Sequence, residues 1–373
     1  AGRRHALLII NPGNRLLFGY YSAMSWQPNY TITNRLIVTM RRIGEAIGEI
    51  KALNLSIRTI ARLEQDARAL SSHASTSIEG NPLPLTDVKQ LLRAEPNHIR
   101  DTEREILNYN KALQIIHGQV LSGEFQLSLA TMEAIQATVV DGLMDHPGHV
   151  GKTRQEPVLI RDPRQPETII FIPPNHADVR ALTTDLAAFI HDNQGDMDPI
   201  ILAGLFHRQF VIIHPFMDGN GRTTRLLTTA ILGQGGLDIF KVFAFENYYN
   251  RSISRYFAAV GLQGDYYECA PTIDFSGWLE FFADGILDEL RRVRAAIPNN
   301  PLPRLEEHHQ RLLVYVEDHG SITQREYGRI SNRSLAARKQ DFQTLVDRGY
   351  LLRRGGGRST YYVPTDLADR DPI

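Results

Sequence analysis

Between residues 214 and 225 the chain places an imidazole (His214), a carboxylate (Asp218), a Gly219-Asn220-Gly221 turn and two arginines (Arg222 and Arg225). No core-packing requirement asks for that mixture, so the stretch constrains the fold around it. The residues before it are apolar at Ile201, Leu202, Leu205, Phe206, Phe210 and Ile213 and open at Asp198-Pro199, an N-cap acid followed by a first-turn proline. This predicts a helix over 200–213 that delivers His214 at its C-terminal end. Beyond the turn, Leu226, Leu227, Ala230 and Ile231 supply the apolar stripe of a second helix, with Gly233 as its C-cap.

The chemistry of the stretch reads as a phosphate cradle. Gly219 and Gly221 are expected to take positive φ and let a ligand approach the backbone. Successive N–H groups in such a turn form an anion-binding concavity, and the helix start adds its positive dipole end. Arg222 and Arg225, three positions apart, project from one helix face. Asp218 offers the hard oxygen that a magnesium–phosphate complex takes, and His214 can exchange a proton near neutral pH. Phe216 reads as a core anchor for the loop. The plainer alternative, a glycine turn with a satisfied histidine and solvated arginines, leaves the fixed spacing of these groups unexplained.

With every defined position matched, residues 214–225 resemble the signature of the Fic family of nucleotidyltransferases, His-x-Phe-x-Asp/Glu-Gly-Asn-Gly-Arg-x-x-Arg. The resemblance implies a mainly α fold: N-terminal helices over 24–94, a Fic-type catalytic domain with a β-hairpin flap over 95–296, and AMP transfer from ATP to a Ser, Thr or Tyr hydroxyl of a target protein. It implies His214 as the base, Gly219, Asn220, Gly221, Arg222, Thr223, Thr224 and Arg225 around the nucleotide, and Asp218 on Mg²⁺. Doc-type kinase toxins within the same fold carry lysine in place of the second glycine, so Gly221 argues against their chemistry.

Upstream, helical spacing of Leu36, Ile37, Met40, Ile43, Ile47, Ile50, Leu55, Ile60 and Leu63 predicts two helices, the second starting near Ser56 and ending at Glu79-Gly80-Asn81-Pro82. Glu79 is misplaced there, because the C-terminal end of a helix dipole disfavours negative charge by roughly 0.3–1 kcal/mol, so it calls for a cation from elsewhere. Residues 75–80 resemble the inhibitory-helix motif of Fic proteins, Ser/Thr-x-x-x-Glu-Gly/Asn, with Ser75 and Glu79 on one face. The resemblance implies that Glu79 pairs with Arg225 in the room of the ATP γ-phosphate, or orients water to remove AMP.

Helical patterning continues over 86–92, 103–116 and 128–143, then gives way to β-rich runs at 158–161 and 168–172 around a Pro-containing turn, which predicts a hairpin. By resemblance this is the target flap, with Val158, Leu159, Ile160 and Arg161 pairing with an extended target segment. Asn175 caps a helix over 176–191. His207, seven residues before His214, lacks a third nitrogen or sulfur ligand at a metal-site spacing and reads as a packed residue. Tyr248 lies in a tyrosine-rich helical segment that, by resemblance, borders the adenine pocket.

Residues 298–303 read as a linker. Over 304–363, a helix, a helix–turn–helix and a hairpin tipped by Gly355-Gly356-Gly357 resemble a winged helix-turn-helix domain. Between Arg325 and Arg358 basic side chains outnumber the acids Glu326, Asp341 and Asp347, and Arg338, Lys339, Arg354 and Arg358 are the candidate DNA contacts. The rival functional class is therefore a nucleotide-sensing transcription regulator that acts through this domain. A second copy of the chain, in a homodimer, is another partner such a module serves.

Composition bounds the rest. Lys+Arg 41 against Asp+Glu 42 leaves no global charge bias, so nucleic-acid contact must be local. Cys269 is the sole cysteine, which excludes internal disulfides and a cysteine-rich metal site and fits a cytoplasmic setting. The apolar runs at 6–10 and 16–21 are too short to span a bilayer, and residues 1–23 are expected to be a poorly ordered extension ahead of Met24, with no membrane partner.

Overall fold

The computed structural model describes residues 26–365 except 54, 56, 95, 97, 163, 164, 238, 240 and 298–304. The expectations for residues 1–23, Ser56, the turn pair Pro163-Arg164 and the 298–303 linker fall outside the described residues. The chain is mainly helical, with small sheets. Its helices are α1 (Asn34–Ala52), α2 (Ile57–Ile78), α3 (Leu85–Leu91), α4 (Asp101–Ser122), α5 (Leu129–Val139), α6 (His176–Asp192), α7 (Pro199–Ile213), α8 (Asn220–Gln234), α9 (Glu246–Asn250), α10 (Ile253–Val260), α11 (Tyr266–Cys269), α12 (Ser276–Ala296), α13 (Glu307–His319), α14 (Gln324–Ile330) and α15 (Leu335–Asp347). No helix among the described residues is long and apolar enough to cross a membrane. The described chain forms two compact units, one containing residues up to 48 and 64–294, the other 49–63 and 295–365.

In the first unit α7 and α8 form the centre. Asp198 accepts from the Ile200 N–H at 2.8 Å and Pro199 occupies the first turn, so α7 begins where the cap and proline dictate. Nearly the whole circumference of α7 is buried, with Phe206, Phe210 and Phe216 fully inaccessible. Each such aromatic stabilises the fold by roughly 1.5–3 kcal/mol through burial. Trp278 of α12 donates its indole N–H to Gly204 O at 2.7 Å, where a Cβ on residue 204 would meet Leu279 at 2.8 Å. His207 is fully buried, with Nδ1 3.0 Å from Thr228 Oγ1 and Nε2 3.0 Å from Tyr256 OH, and burial pushes its pKa well below the usual imidazole value. It is a hydrogen-bonded core residue.

Several boundaries differ from the sequence expectation: α4 runs on to Ser122, past the expected 116, and α5 stops at Val139, short of 143. Helix α8 passes through Gly233 and ends at Gln234, with the left-handed residue at Gly236 (φ 87). There Gly236 N donates to Gly233 O at 3.1 Å and Leu237 N to Leu232 O at 3.2 Å, a Schellman closure that buries Leu237. The flap strands are β1 (Ile160–Asp162) and β2 (Gln165–Ile172), antiparallel, with Ile160 opposite Phe171, Arg161 opposite Ile169 and Asp162 opposite Gln165. Pairing runs right up to residues 163–164, so the turn is shorter than expected, while Val158 and Leu159 precede the strand. Irregular register on both sides of Arg161 ends the ladder early, as bulges do. A third strand, β3 (Gly264–Asp265), joins β2 in parallel, an addition the sequence pattern did not signal.

The second unit holds α13, α14 and α15 with β4 (Ile322–Thr323), β5 (Leu351–Arg354) and β6 (Tyr361–Pro364) in an antiparallel sheet of order β4-β6-β5. Its core centres on Leu312, Val316, Ile322, Phe342, Leu345 and Leu351, and Tyr362 stacks on Phe342 at 3.9 Å. Asp341, 1% exposed, is the polar centre: Tyr327 OH (2.9 Å), Arg333 Nε (2.7 Å) and His308 Nε2 (3.2 Å) converge on its carboxylate. Two of the basic residues counted toward DNA are thereby used internally. Arg333 neutralises Asp341, and Arg338 lies across Gly328, where a Cβ would fall 1.7 Å from its Nη1, and donates to Gln324 O at 3.2 Å. Arg338 is thus committed to α14, whereas Lys339 and Arg354 are exposed; the Arg358 side chain lies outside the described residues.

Because removing the buried carboxylate leaves the buried Tyr327 hydroxyl without its acceptor, Asp341→Ala is expected to destabilise the second unit by about 2 kcal/mol. Denaturant unfolding followed by the fluorescence of the unit's tyrosines checks this.

Candidate active site

The loop between α7 and α8 is shaped by side chains that the signature itself supplies. His214 caps α7 in the left-handed region (φ 52, ψ 60), a conformation that no other non-glycine residue adopts among the described residues. A left-handed histidine needs outside support. Arg154, 1% exposed, gives it: Nε donates to His214 O at 2.9 Å and Nη2 to Pro174 O at 2.5 Å, while the Arg154 N–H donates to Pro215 O at 2.8 Å. One buried guanidinium thus joins the end of α7 to the base of the flap.

Asn220 closes the loop. Its Oδ1 accepts from Phe216 N at 2.9 Å and its Nδ2 donates to Phe216 O at 2.8 Å, so the amide is spent on backbone rather than offered to a ligand. Thr224 likewise donates to Asn220 O at 2.7 Å, and Thr223 is fully buried. What these residues can present to an anion is their backbone. Gly219 (φ 80) is the N-cap of α8 and brings no side chain, which leaves the first-turn N–H groups uncapped. A Cβ on residue 219 would strike Val140 Cγ1 at 2.8 Å. Gln136 of α5 pins the loop, donating to Asp218 O at 3.1 Å while accepting from Gly151 N at 2.7 Å.

Gly221 does not take positive φ; it is an ordinary helical residue in the first turn of α8. Its missing Cβ matters for a different reason. A Cβ there would lie 2.1 Å from Glu79 Oε1 and 3.0 Å from Arg225 Nη1, so glycine opens a seat at the helix start and a carboxylate fills it. Glu79 directly follows α2, and Gly80 (φ 100) turns the chain away. Glu79 Oε1 accepts from Arg225 Nη2 at 2.7 Å.

Arg225 is fully buried. Its Nε donates to Ser75 Oγ at 2.7 Å and its Nη2 to Ser75 O at 2.8 Å. Burial alone would lower its pKa; Glu79, with Tyr256 and Tyr109, more than offsets that, and the net shift is upward. Behind it sits a second acid, Glu246 (1% exposed), which accepts from Tyr109 OH at 2.9 Å and Ser71 Oγ at 3.0 Å. Burial pushes the Glu246 pKa up, partly countered by those hydroxyls and by Arg225.

The two arginines part company. Arg222 is also buried, but its Nη1 meets Glu105 of α4 at 2.7 Å and its Nη2 meets both Asp218 oxygens at 3.1 Å. Asp218 Oδ1 also accepts from Gly219 N at 2.6 Å, yet its side chain is 55% exposed. That is a fixed, solvent-facing hard oxygen, a donor that fits Mg²⁺, which takes one or two protein carboxylates plus phosphate oxygens and water.

His214 contributes the titratable ring. Its Nδ1 lies 3.3 Å from Val211 O; because a carbonyl only accepts, Nδ1 carries the proton and Nε2 is left with its lone pair. Burial pushes the His214 pKa down to about 4, with Arg154 adding to the fall and the Val211 carbonyl, Glu79 and Asp218 opposing it. The ring is therefore neutral at physiological pH.

Tyr248 packs on α12, its ring 5.3 Å from Phe281 and close against Gly285, with Arg251 5.8 Å above it. From the same segment, Glu246, Tyr249 and Tyr256 reach the surroundings of Arg225. Arg154, Gln136, Glu105 and Glu246 were not singled out from sequence. Each lies far along the chain from the residue it serves, and no spacing rule joins them.

Residues 126–232 match the model of the Fic/DOC family. The chain is 26% identical over 212 residues to "Protein adenylyltransferase Fic" of Drosophila grimshawi, covering 55% of this chain and 41% of that protein. It is 28% identical over 198 residues to the protein of the same name from Culex quinquefasciatus, covering 52% and 37%. The chain thus matches less than half the length of these relatives. The fold resembles a Fic family protein from Desulfovibrio desulfuricans (TM-score 0.62, 20% identity, 92% of this chain and 100% of that one). It also resembles a Fic domain containing signaling protein from Bacteroides thetaiotaomicron (TM-score 0.57, 21% identity, 68% and 97%). The chain therefore carries, over residues 126–232, a domain of the Fic/DOC family homologous to that of the named protein adenylyltransferases.

Proposed function

We propose that this chain transfers AMP from ATP to a hydroxyl of a protein target, and that Glu79 restrains the transfer. One observation carries the reading: the Glu79 carboxylate occupies the seat over Gly221 and pairs with Arg225 at 2.7 Å, so an anion already sits where a phosphate would bind. Homology to named adenylyltransferases supports the chemistry.

In this reading the target hydroxyl approaches His214 Nε2, which accepts its proton as the oxygen bonds to the α-phosphorus and the bond to pyrophosphate breaks. The backbone N–H groups at the start of α8 and the Arg225 guanidinium hold the departing phosphates once Glu79 swings away. Mg²⁺ held by Asp218 would neutralise phosphate charge, as in phosphoryl chemistry generally. β1 lies at the edge of its sheet, and Leu159, Ile169 and Ile172 expose apolar surface beside it, which favours strand addition by an extended target segment. The reverse direction, hydrolysis of an AMP-modified hydroxyl by a water that Glu79 orients, uses the same site.

The second unit supports a separate reading. Its order of helices and hairpin resembles that of a winged helix, and Lys339 and Arg354 are exposed, where phosphates could meet them. If this unit binds DNA, Lys339→Glu with Arg354→Glu abolishes retardation of duplex DNA while Arg338→Ala does not; equal retardation by the charge-reversed variant overturns the reading.

Incubation with α-labelled ATP and Mg²⁺ tests the enzyme. Wild type is expected to label itself weakly, Glu79→Gly at least about tenfold faster, and Glu79→Gly with His214→Ala not at all. Label that survives loss of His214 overturns the mechanism, and an unchanged rate on removing Glu79 overturns the restraint alone. The pH profile gives a second check. Because the neutral ring is the base and its pKa is lowered to about 4, kcat/KM of Glu79→Gly should stay level as pH falls through about 6.5, the ordinary histidine range, and drop only nearer 4. A limb at the ordinary value means the free enzyme does not bury the ring.

A further inference from the structure

Arg222 is gripped by carboxylates on two sides, and the two differ in setting. Glu105 is 17% exposed and Asp218 is 55% exposed, while the Arg222 side chain between them is 6% exposed. The inner acid is held from a second side. Its Oε2 accepts from Asn81 Nδ2 at 2.7 Å, and that nitrogen also donates to Thr102 O at 2.8 Å. Asn81 is 8% exposed and is fixed in turn by Leu83 N, which donates to its Oδ1 at 3.1 Å. A rigid chain, Asn81–Glu105–Arg222–Asp218, therefore leads from the turn after Glu79 to the solvent-facing acid of the cradle.

The consequence is electrostatic. A carboxylate that shares both oxygens with a guanidinium is a poor ligand for a divalent cation, because the cation must approach a positive charge a few ångströms away in a partly desolvated site. Glu105 changes that balance by supplying Arg222 with its own counter-charge from the buried side.

We propose that Glu105 is a positioning residue for divalent-cation capture: by neutralising Arg222 from within, it leaves the charge of Asp218 available to the cation that accompanies the nucleotide phosphates. The inference rests on the adenylyl-transfer reading above and assigns a role to a residue of α4 outside the signature.

The test is calorimetric and uses the full chain carrying Glu79→Gly. Mg²⁺ is titrated into protein saturated with α,β-methylene ATP, and the same analogue is separately titrated in EDTA. Glu105→Gln is expected to weaken Mg²⁺ binding by about tenfold while changing metal-free analogue binding by less than about twofold, in line with coupling between directly contacting charges. In an Arg222→Gln background, Glu105→Gln should shift Mg²⁺ affinity by less than about twofold, since its effect passes through Arg222. An unchanged Mg²⁺ affinity overturns the proposal, and so does a full effect that persists without Arg222, which would mean Glu105 acts as a distant charge. Should Glu105→Gln fail to fold by thermal melting, Asn81→Ala keeps the charge but frees Glu105 Oε2, and about a threefold loss of Mg²⁺ affinity is expected; no loss overturns the proposal. If neither analogue nor Mg²⁺ binds the parent, the adenylyl-transfer reading itself falls, an outcome distinct from binding that Glu105 does not affect.

Discussion

A guanidinium with no exposed surface cannot stand without counter-charge, and Arg225 is such a group. Its needs organise the first unit. Ser75 comes to it from α2 and Glu79 from the residue just after that helix, Tyr256 from α10, and Glu246 with Tyr109 stands behind it. The helix dipole disfavours Glu79 at the end of α2 and the buried cation opposite compensates, so each group makes the other tolerable. That mutual dependence is also what makes the contact replaceable. Any anion that can enter the seat over Gly221 competes for the same nitrogen atoms, and a polyphosphate carries more charge than a carboxylate.

Backbone geometry and electrostatics meet at His214. The left-handed turn at its position ends α7, and Arg154 holds that turn by filling carbonyls there. The same arginine binds Pro174 O, so the flap base and the loop between α7 and α8 share one anchor. The Val211 carbonyl then selects the tautomer that leaves Nε2 free to accept a proton. Each part is an ordinary hydrogen bond; their convergence on one residue fixes the backbone turn and the tautomer of a neutral ring.

The second unit shows the opposite use of arginine. A local excess of basic residues reads, in sequence, as an open positive face. In the fold, Arg333 closes on the buried Asp341 and Arg338 lies over Gly328, so the charge presented outward is smaller than the composition implies. Counting charges measures supply, whereas solvent exposure measures what a partner can meet.

Much of the helical framework was legible in the chain. Caps at Asp198 and Asn175, the Pro199 start and the Gly80 stop mark boundaries through local hydrogen bonds and φ preferences, which depend only on neighbours. The signature positions were legible too, because helix periodicity fixes which of them share a turn. The third flap strand, the Schellman closure at Gly236, and the partners of Arg222 and His214 were not, since each joins residues that only folding brings together. The order of residues places an imidazole, an acid, two arginines and a glycine turn at the junction of two helices. Tertiary structure alone decided that Gly221 is needed for the carboxylate above it, that Asn220 serves the loop, and that one arginine meets Glu79 while the other meets Glu105. The physical reason is that a side chain's charge is written in the chain, whereas its counter-charge is chosen by whatever the packed core leaves within about 3 Å.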